Sequence, residues 1–228
     1  FWFNNDSGGG YGFLAFDLNN RNIKWIVDDI FSPFSSNYAL KGQPVLIDLN
    51  NDNKLEIAAS VFYDDSCNFD ICTDWFTELF VYNHNNTKLF SKCELGFSTC
   101  NDGSAPGGAD KKWEGTNPFV MDYDRNGIDD ICFIKDKKLG GYFDYMAMNC
   151  YNYSGAESAK VNLSNAEDGI KGTAMTADMN NDGEKEIITY HDIYLLNGTV
   201  LFNMPLRLSN LIAVDIDGNK GLDLIWAN

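Results

Sequence analysis

The chain has 228 residues, 44% hydrophobic and 14% aromatic, enough apolar material for a real core, which excludes wholesale disorder. Lys and Arg total 17 against 33 Asp and Glu, a net charge of −16. Nucleic acid is therefore excluded as a partner, because binding it needs surplus cations to displace counterions, and an anionic membrane surface is disfavoured on the same ground.

In chain order, residues 1–11 open with FWFNNDSGG, an apolar peg ahead of a flexible polar stretch. Residues 12–27, GFLAFDLNNRNIKWIV, read as a hairpin in which Phe16 and Trp25 flank an Asn-rich turn. Residues 42–95 hold an apolar strand, the loop DLNNDNKLEI at 48–57, a strand IAASVFY and a hairpin from Tyr82 to Phe90. The segments 63–76 and 96–116 exceed turn length, and loops beyond ~12 residues are uncommon unless functional or disordered. They are the expected recognition surfaces, where Trp75, Phe76 and Trp113 either stack on a sugar or partner or cover blade edges. Residues 117–163 repeat the pattern with DYDRNGIDDI at 122–131 and a longer hairpin in 142–163. Residues 173–206 repeat it with DMNNDGEKEI at 178–187 and a hairpin from Tyr194 to Phe202. Residues 211–228 carry strand, DIDGNKGLDL at 215–224 and strand, with no hairpin after them. No apolar run approaches the ~20 residues of a membrane-spanning helix. The absence of an initial Met and of a signal peptide reads as a processed product or a fragment.

The four loops share D-x-[DN]-x-[DN]-x-x-x-[DE] followed by Ile or Leu. A tight loop turns alternate residues inward, so the oxygens at positions 1, 3, 5 and 9 converge into the hard-oxygen cage that Ca²⁺ favours. The ligands are Asp48, Asn50, Asp52 and Glu56; Asp122, Asp124, Asn126 and Asp130; Asp178, Asn180, Asp182 and Glu186; and Asp215, Asp217, Asn219 and Asp223. A backbone carbonyl at position 7 completes each site, giving up to four Ca²⁺. EF-hands are excluded, since position 12 is Ala59, Phe133, Thr189 or Trp226 where a bidentate Glu belongs. The fourth loop is the weakest match, with Lys220 where the others bend at Asn53, Gly127 or Gly183.

This motif resembles the calcium loops of FG-GAP or VCBS-type repeats, as in integrin α-subunit β-propellers. The resemblance covers the four ten-residue loops and, more loosely, their flanking strands. It implies that each loop joins the first two strands of a blade and that calcium there is structural. Loop plus hairpin supplies the four strands of a blade. The expected fold is therefore all-β, a single small propeller domain of about four blades. Blades lie at 42–95, 117–163 and 173–206, and the last is built from residues 211–228 and the hairpin 12–27. That hairpin completes its own molecule's last blade or a neighbour's; the second outcome would give homo-oligomers or a filament.

Six cysteines and five N-x-[ST] sequons point to an extracellular or cell-surface location. The sequons, sites for glycosylation, are Asn5, Asn85, Asn152, Asn162 and Asn197. Proximity pairs Cys67 with Cys72, Cys93 with Cys100 and Cys132 with Cys150, the alternative being buried free thiols. No C-x-x-C is present, and His84 and His191 are read as solvated turn residues, so zinc has little support. No G-x-S-x-G, P-loop or H-E-x-x-H appears, so no catalytic residue is assigned. The expected role is a calcium-stabilised structural or adhesive surface protein. A carbohydrate- or receptor-binding module is the alternative, and a polysaccharide lyase a remoter one.

Overall fold

A computed structural model describes residues 2–5, 10–17, 21–27, 38–40, 44–64, 67–68, 71–72, 75–93, 115–139, 142–163, 174–204, 212–218 and 222–225. Side chains are described for 21, 44–60, 77–92, 115–135, 146–163, 174–204, 212–218 and 222–225. Every strand pairing is antiparallel, and the described residues contain no helix.

β1 (Trp2–Asn5), β2 (Gly10–Asp17) and β3 (Asn22–Val27) form one sheet in that order. β4 (Tyr38–Leu40), β5 (Val45–Ile47) and β6 (Glu56–Asp64) come next, then a small ribbon of β7 (Cys67–Asn68) and β8 (Ile71–Cys72). With β9 (Trp75–Tyr82) and β10 (Lys88–Cys93) they build a sheet ordered β10-β9-β6-β4, in which β5 also pairs with β6. The third sheet runs β11 (Phe119–Met121), β12 (Asp130–Leu139), β13 (Tyr142–Tyr151), β14 (Glu157–Leu163). The fourth runs β15 (Met175–Ala177), β16 (Glu186–Ile188), β17 (Asp192–Tyr194), β18 (Val200–Asn203). β19 (Ile212–Val214) and β20 (Asp223–Ile225) pair only with each other among the described residues.

The stacking of these sheets explains the sequence pattern. β14 alternates, burying Ala159, Val161 and Leu163 while Glu157, Lys160 and Asn162 face water. Ile131 to Ile134 of β12 are buried without alternation because both faces of that strand are covered. One rule repeats across three junctions. The face carrying Val45, Ile47 and Ala58 packs on Val120, Ile131 and Phe133. The face carrying Phe119, Met121 and Cys132 packs on Ile187 and Tyr194. The face carrying Met175, Ala177 and Ile188 packs on Ala213 and Leu224. Polar groups pin two of the junctions: Ser60 Oγ donates to the Thr116 carbonyl at 2.9 Å, and Thr176 Oγ1 to the Val120 carbonyl at 3.1 Å.

Three expectations are corrected, and a fourth, the closed ring, is not found among the described residues. Residues 63–76 are not a long loop, because β6 and β9 continue to Asp64 and from Trp75, and the described residues between them form the β7–β8 ribbon. β4 lies outside 42–95 and adds a fifth strand to its sheet. Residues 1–11 are not merely a peg, since Trp2 to Asn5 pair with Phe13 to Gly10. No closed ring of blades is found among the described residues: Leu46, at one end of the stack, and Ile212, at the other, are each 59% exposed. Most of 96–116, with Trp113, lies outside the described residues, as do the side chains of Trp75 and Phe76.

Candidate metal centres

Each acidic loop connects the first strand of a sheet to the second in one register. Ile47 faces Glu56, Met121 faces Asp130, Ala177 faces Glu186 and Val214 faces Asp223. The position-9 acid thus opens the second strand, beside the residue preceding position 1.

The first three loops fold alike. The position-1 carboxylate gathers the N–H groups of positions 5 and 6: Asp48 takes Asp52 at 3.1 Å and Asn53 at 2.8 Å. Asp122 takes Asn126 at 3.0 Å and Gly127 at 2.9 Å, and Asp178 takes Asp182 at 3.1 Å and Gly183 at 2.9 Å. The side-chain oxygens at position 3 (Asn50, Asp124, Asn180) accept the position-5 N–H. Those at position 5 (Asp52, Asn126, Asp182) accept the position-7 N–H. Positions 4 and 6 are left-handed, at Asn51 and Asn53, Arg125 and Gly127, Asn181 and Gly183. The bend at position 6 is legible in the sequence, and the one at position 4 was expected only in the fourth loop, where Gly218 or Gly221 would supply the flexibility that Lys220 lacks. Asn51, Asn181 and Gly218 tolerate that conformation and were the available signal; Arg125 offered none.

The position-9 acids are buried at 0% (Glu56), 2% (Asp130) and 1% (Glu186) exposure. Leu49 N–H donates to Glu56 Oε2 at 2.9 Å and Met179 N–H to Glu186 Oε2 at 2.7 Å. Glu56 Oε1 and Asp130 Oδ2 are buried with no hydrogen-bond partner. Burial pushes the Glu56 carboxyl above the usual carboxylate range; the Leu49 N–H pulls it back, and the charges of Asp52 and Asp48 raise it further. Asp130 is raised by burial, then opposed by nearby Ser158, with Asp124 and Asp122 also pushing it up. Glu186 is raised by burial, with Asp182 and Asp178 adding to the rise against the Met179 N–H.

In the fourth loop Ile216 N–H donates to Asp223 Oδ2 at 3.0 Å and Gly218 N–H to Asp215 Oδ1 at 2.6 Å. Asp215, Asp217 and Asp223 bring carboxylate oxygens within 4.8 Å of one another, the one such group of acids among the described residues. The weakest loop in sequence thus has the most convergent acids, while Asn219 lies outside the described residues. The donor set fits Ca²⁺: hard oxygens only, with a buried oxygen lacking a partner in two loops. Arg125 of the second loop pairs with Glu184 of the third, an exposed contact of small energetic weight.

Cys132 and Cys150 are disulfide-bonded across β12 and β13. Cys67 and Cys72 stand opposite each other in the β7–β8 register; Cys93 ends β10, and Cys100 lies outside the described residues. Asn85, Asn152, Asn162 and Asn197 are exposed, and Asn5 lies in β1, where side chains are not described. His84 and His191 are half-buried where solvated positions were expected, His191 lying edge-on to Tyr190 at 4.6 Å. No helix among the described residues is long and apolar enough to cross a membrane.

No protein-family description matches the sequence, and no curated protein matches it. Among solved structures, the chain is similar to the biofilm matrix protein Bap1 of V. cholerae, at 17% identity and a TM-score of 0.49. That likeness covers 87% of this chain and 30% of the V. cholerae chain.

Proposed function

We propose that this chain is an extracellular structural or adhesive protein, built of four propeller-type blades of the FG-GAP or VCBS kind and stapled by calcium. The last blade is shared between the two ends of the chain, completed in the same molecule or by a neighbour, and the second arrangement would make the protein a filament subunit. The observation that carries the reading is one acidic loop repeated four times in one strand register, its buried position-9 acid keeping an unpartnered oxygen at Glu56 and Asp130. The sixteen side chains named above would hold Ca²⁺, which supplies the positive charge those buried oxygens lack. The chain's own role is to hold the cage open: the position-1 acids fix the bend, and the position-9 acids tie it to the sheet.

The test is Glu56→Gln, melted with calcium and with excess EDTA. Chelation should lower the melting temperature of the unaltered protein by roughly ten degrees or more, from ~2.7 kcal/mol per site at a hundredfold excess over Kd and about 2–4 °C per kcal/mol. Glu56→Gln should melt lower than the unaltered protein in calcium and higher in EDTA, where it removes an uncompensated buried charge. Melts indifferent to EDTA would overturn the calcium reading.

A further inference from the structure

The stack ends on an unused face. At three junctions the face bearing the first-strand residues Val45 and Ile47, or their equivalents, packs on the opposite face of the next sheet. On β19 and β20 that same face carries Ile212, Val214 and Ile225, which are 59%, 39% and 43% exposed. The opposite end offers part of the matching receptor face: Leu46, equivalent to Val120 and Ala213, is also 59% exposed, whereas Ala59, Phe80 and Tyr82 farther along the same face are buried. Of two faces that obey one packing rule, one is thus open and the other is open at its β5 end in a single chain.

The unused edge points the same way. In the second, third and fourth sheets the second strand continues into a hairpin with a bulge, placed between Val81 and Tyr82, Cys150 and Tyr151, and Ile193 and Tyr194. The hairpin β2–β3 has its bulge between Ala15 and Phe16, which aligns Phe16 with those tyrosines. Its sheet lacks an acidic loop and a first-strand hairpin, whereas β19–β20 has both and lacks the bulged hairpin. β1 pairs only with Gly10 to Phe13, leaving the Leu14–Asp17 edge of β2 unpaired on that side among the described residues. A short second strand needs no more: β16 pairs with β17 only at Ile187↔Tyr194 and Ile188↔Ile193.

Building on the split-blade reading, we infer that β20 pairs with β2 of a second copy, at Leu224↔Phe16 and Ile225↔Ala15, and that the Ile212–Val214–Ile225 face then seats on the second copy's Leu46 face. The occupant is a second copy because β2 and β20 belong to separate sheets within one chain, with the Ile212–Val214–Ile225 face and the Leu46 end of the receptor face both open. The contact uses different surfaces on the two partners, so it propagates head to tail. The sequence order supports one continuous interface: the donated hairpin immediately precedes the sheet that presents Leu46.

The register supplies its own test. Ile225 occupies the position of Cys132, each one residue beyond the partner of the middle first-strand residue, and Ala15 occupies that of Cys150. Ala15→Cys and Ile225→Cys would therefore reproduce in trans the disulfide that β12 and β13 make. The two single variants, mixed in calcium and oxidised, should give a cross-linked dimer containing one of each, and the double variant a ladder of covalent oligomers. A double variant that yields only an internally linked monomer, or variants that do not link while melting like the unaltered protein, would overturn the inference. Ile225→Glu provides a second measurement: its mass by light scattering should fall to that of a monomer with the melt unchanged. Retained polymers would overturn the proposal. Calcium dependence of each variant's melt is read separately, so failure of the calcium reading and failure of this interface are distinguished.

Discussion

The sheet β11–β14 and the pair β19–β20 begin alike and end differently. Both have a three-residue first strand, an acidic loop and a second strand opening on Asp in the same register. In the central sheet Ile131, Cys132, Phe133 and Ile134 are all fully buried, because a neighbouring sheet covers each face. In the terminal pair Ala213 and Leu224 are covered on one side, while Ile212, Val214 and Ile225 are open on the other. The loop and its register are local properties of the sequence; burial is a property of what stands next to it.

The strongest way to break the covered region is to force neighbouring sheets apart. Gly198 has φ +84°, and a Cβ there would lie 2.0 Å from the Asn162 carbonyl oxygen of β14. Gly198→Ala should cost about 4 kcal/mol or more by denaturant titration, since backbone must move. Gly127, also at positive φ but with nothing within 4 Å, should cost only about 1–2 kcal/mol as alanine. Equal costs would mean that the sheets do not meet where Gly198 touches Asn162.

The next effect sharpens the contrast between the covered and open faces. Ile188 is fully buried and Ile225 is its register equivalent at 43% exposure. Ile188→Ala should lose about 2–5 kcal/mol of monomer stability, and Ile225→Ala within about 0.5 kcal/mol. A large loss at Ile225 in dilute monomer would show that its face is covered within one chain.

The smallest expected effect lies in pH. Burial raises the Glu78 carboxyl above the ordinary range, opposed by the Ser91 hydrogen bond and then by Lys88. A carboxyl raised on folding holds its proton more firmly in the folded state. Its stabilising contribution is therefore full below the unfolded pKa and lost as pH rises through the folded one. Glu78→Gln mimics the protonated form, so its melting temperature should fall less between acid and neutral pH, by about 2–4 °C, the response to ~1 kcal/mol. Parallel curves for variant and unaltered protein would remove Glu78 as a source of that dependence.

Strand alternation, Asn-rich turns and the acidic loops were legible in the sequence because each arises within about ten residues of chain. The Cys132–Cys150 pairing was legible too, as the two residues sit on paired strands that follow each other closely in the chain. The extension of β6 and β9 through residues 63–76 was not, since its polar and cysteine-rich composition looks like loop until the strands pair. The left-handed conformation of Arg125 escaped for a related reason: the hydrogen bonds of its loop impose it against the residue's own preference. Which face of each sheet meets its neighbour, and that Ile212, Val214 and Ile225 meet none within the described chain, only the tertiary structure decided. An isoleucine carries the same side chain at positions 188 and 225, and burial depends on a surface that its local sequence does not contain.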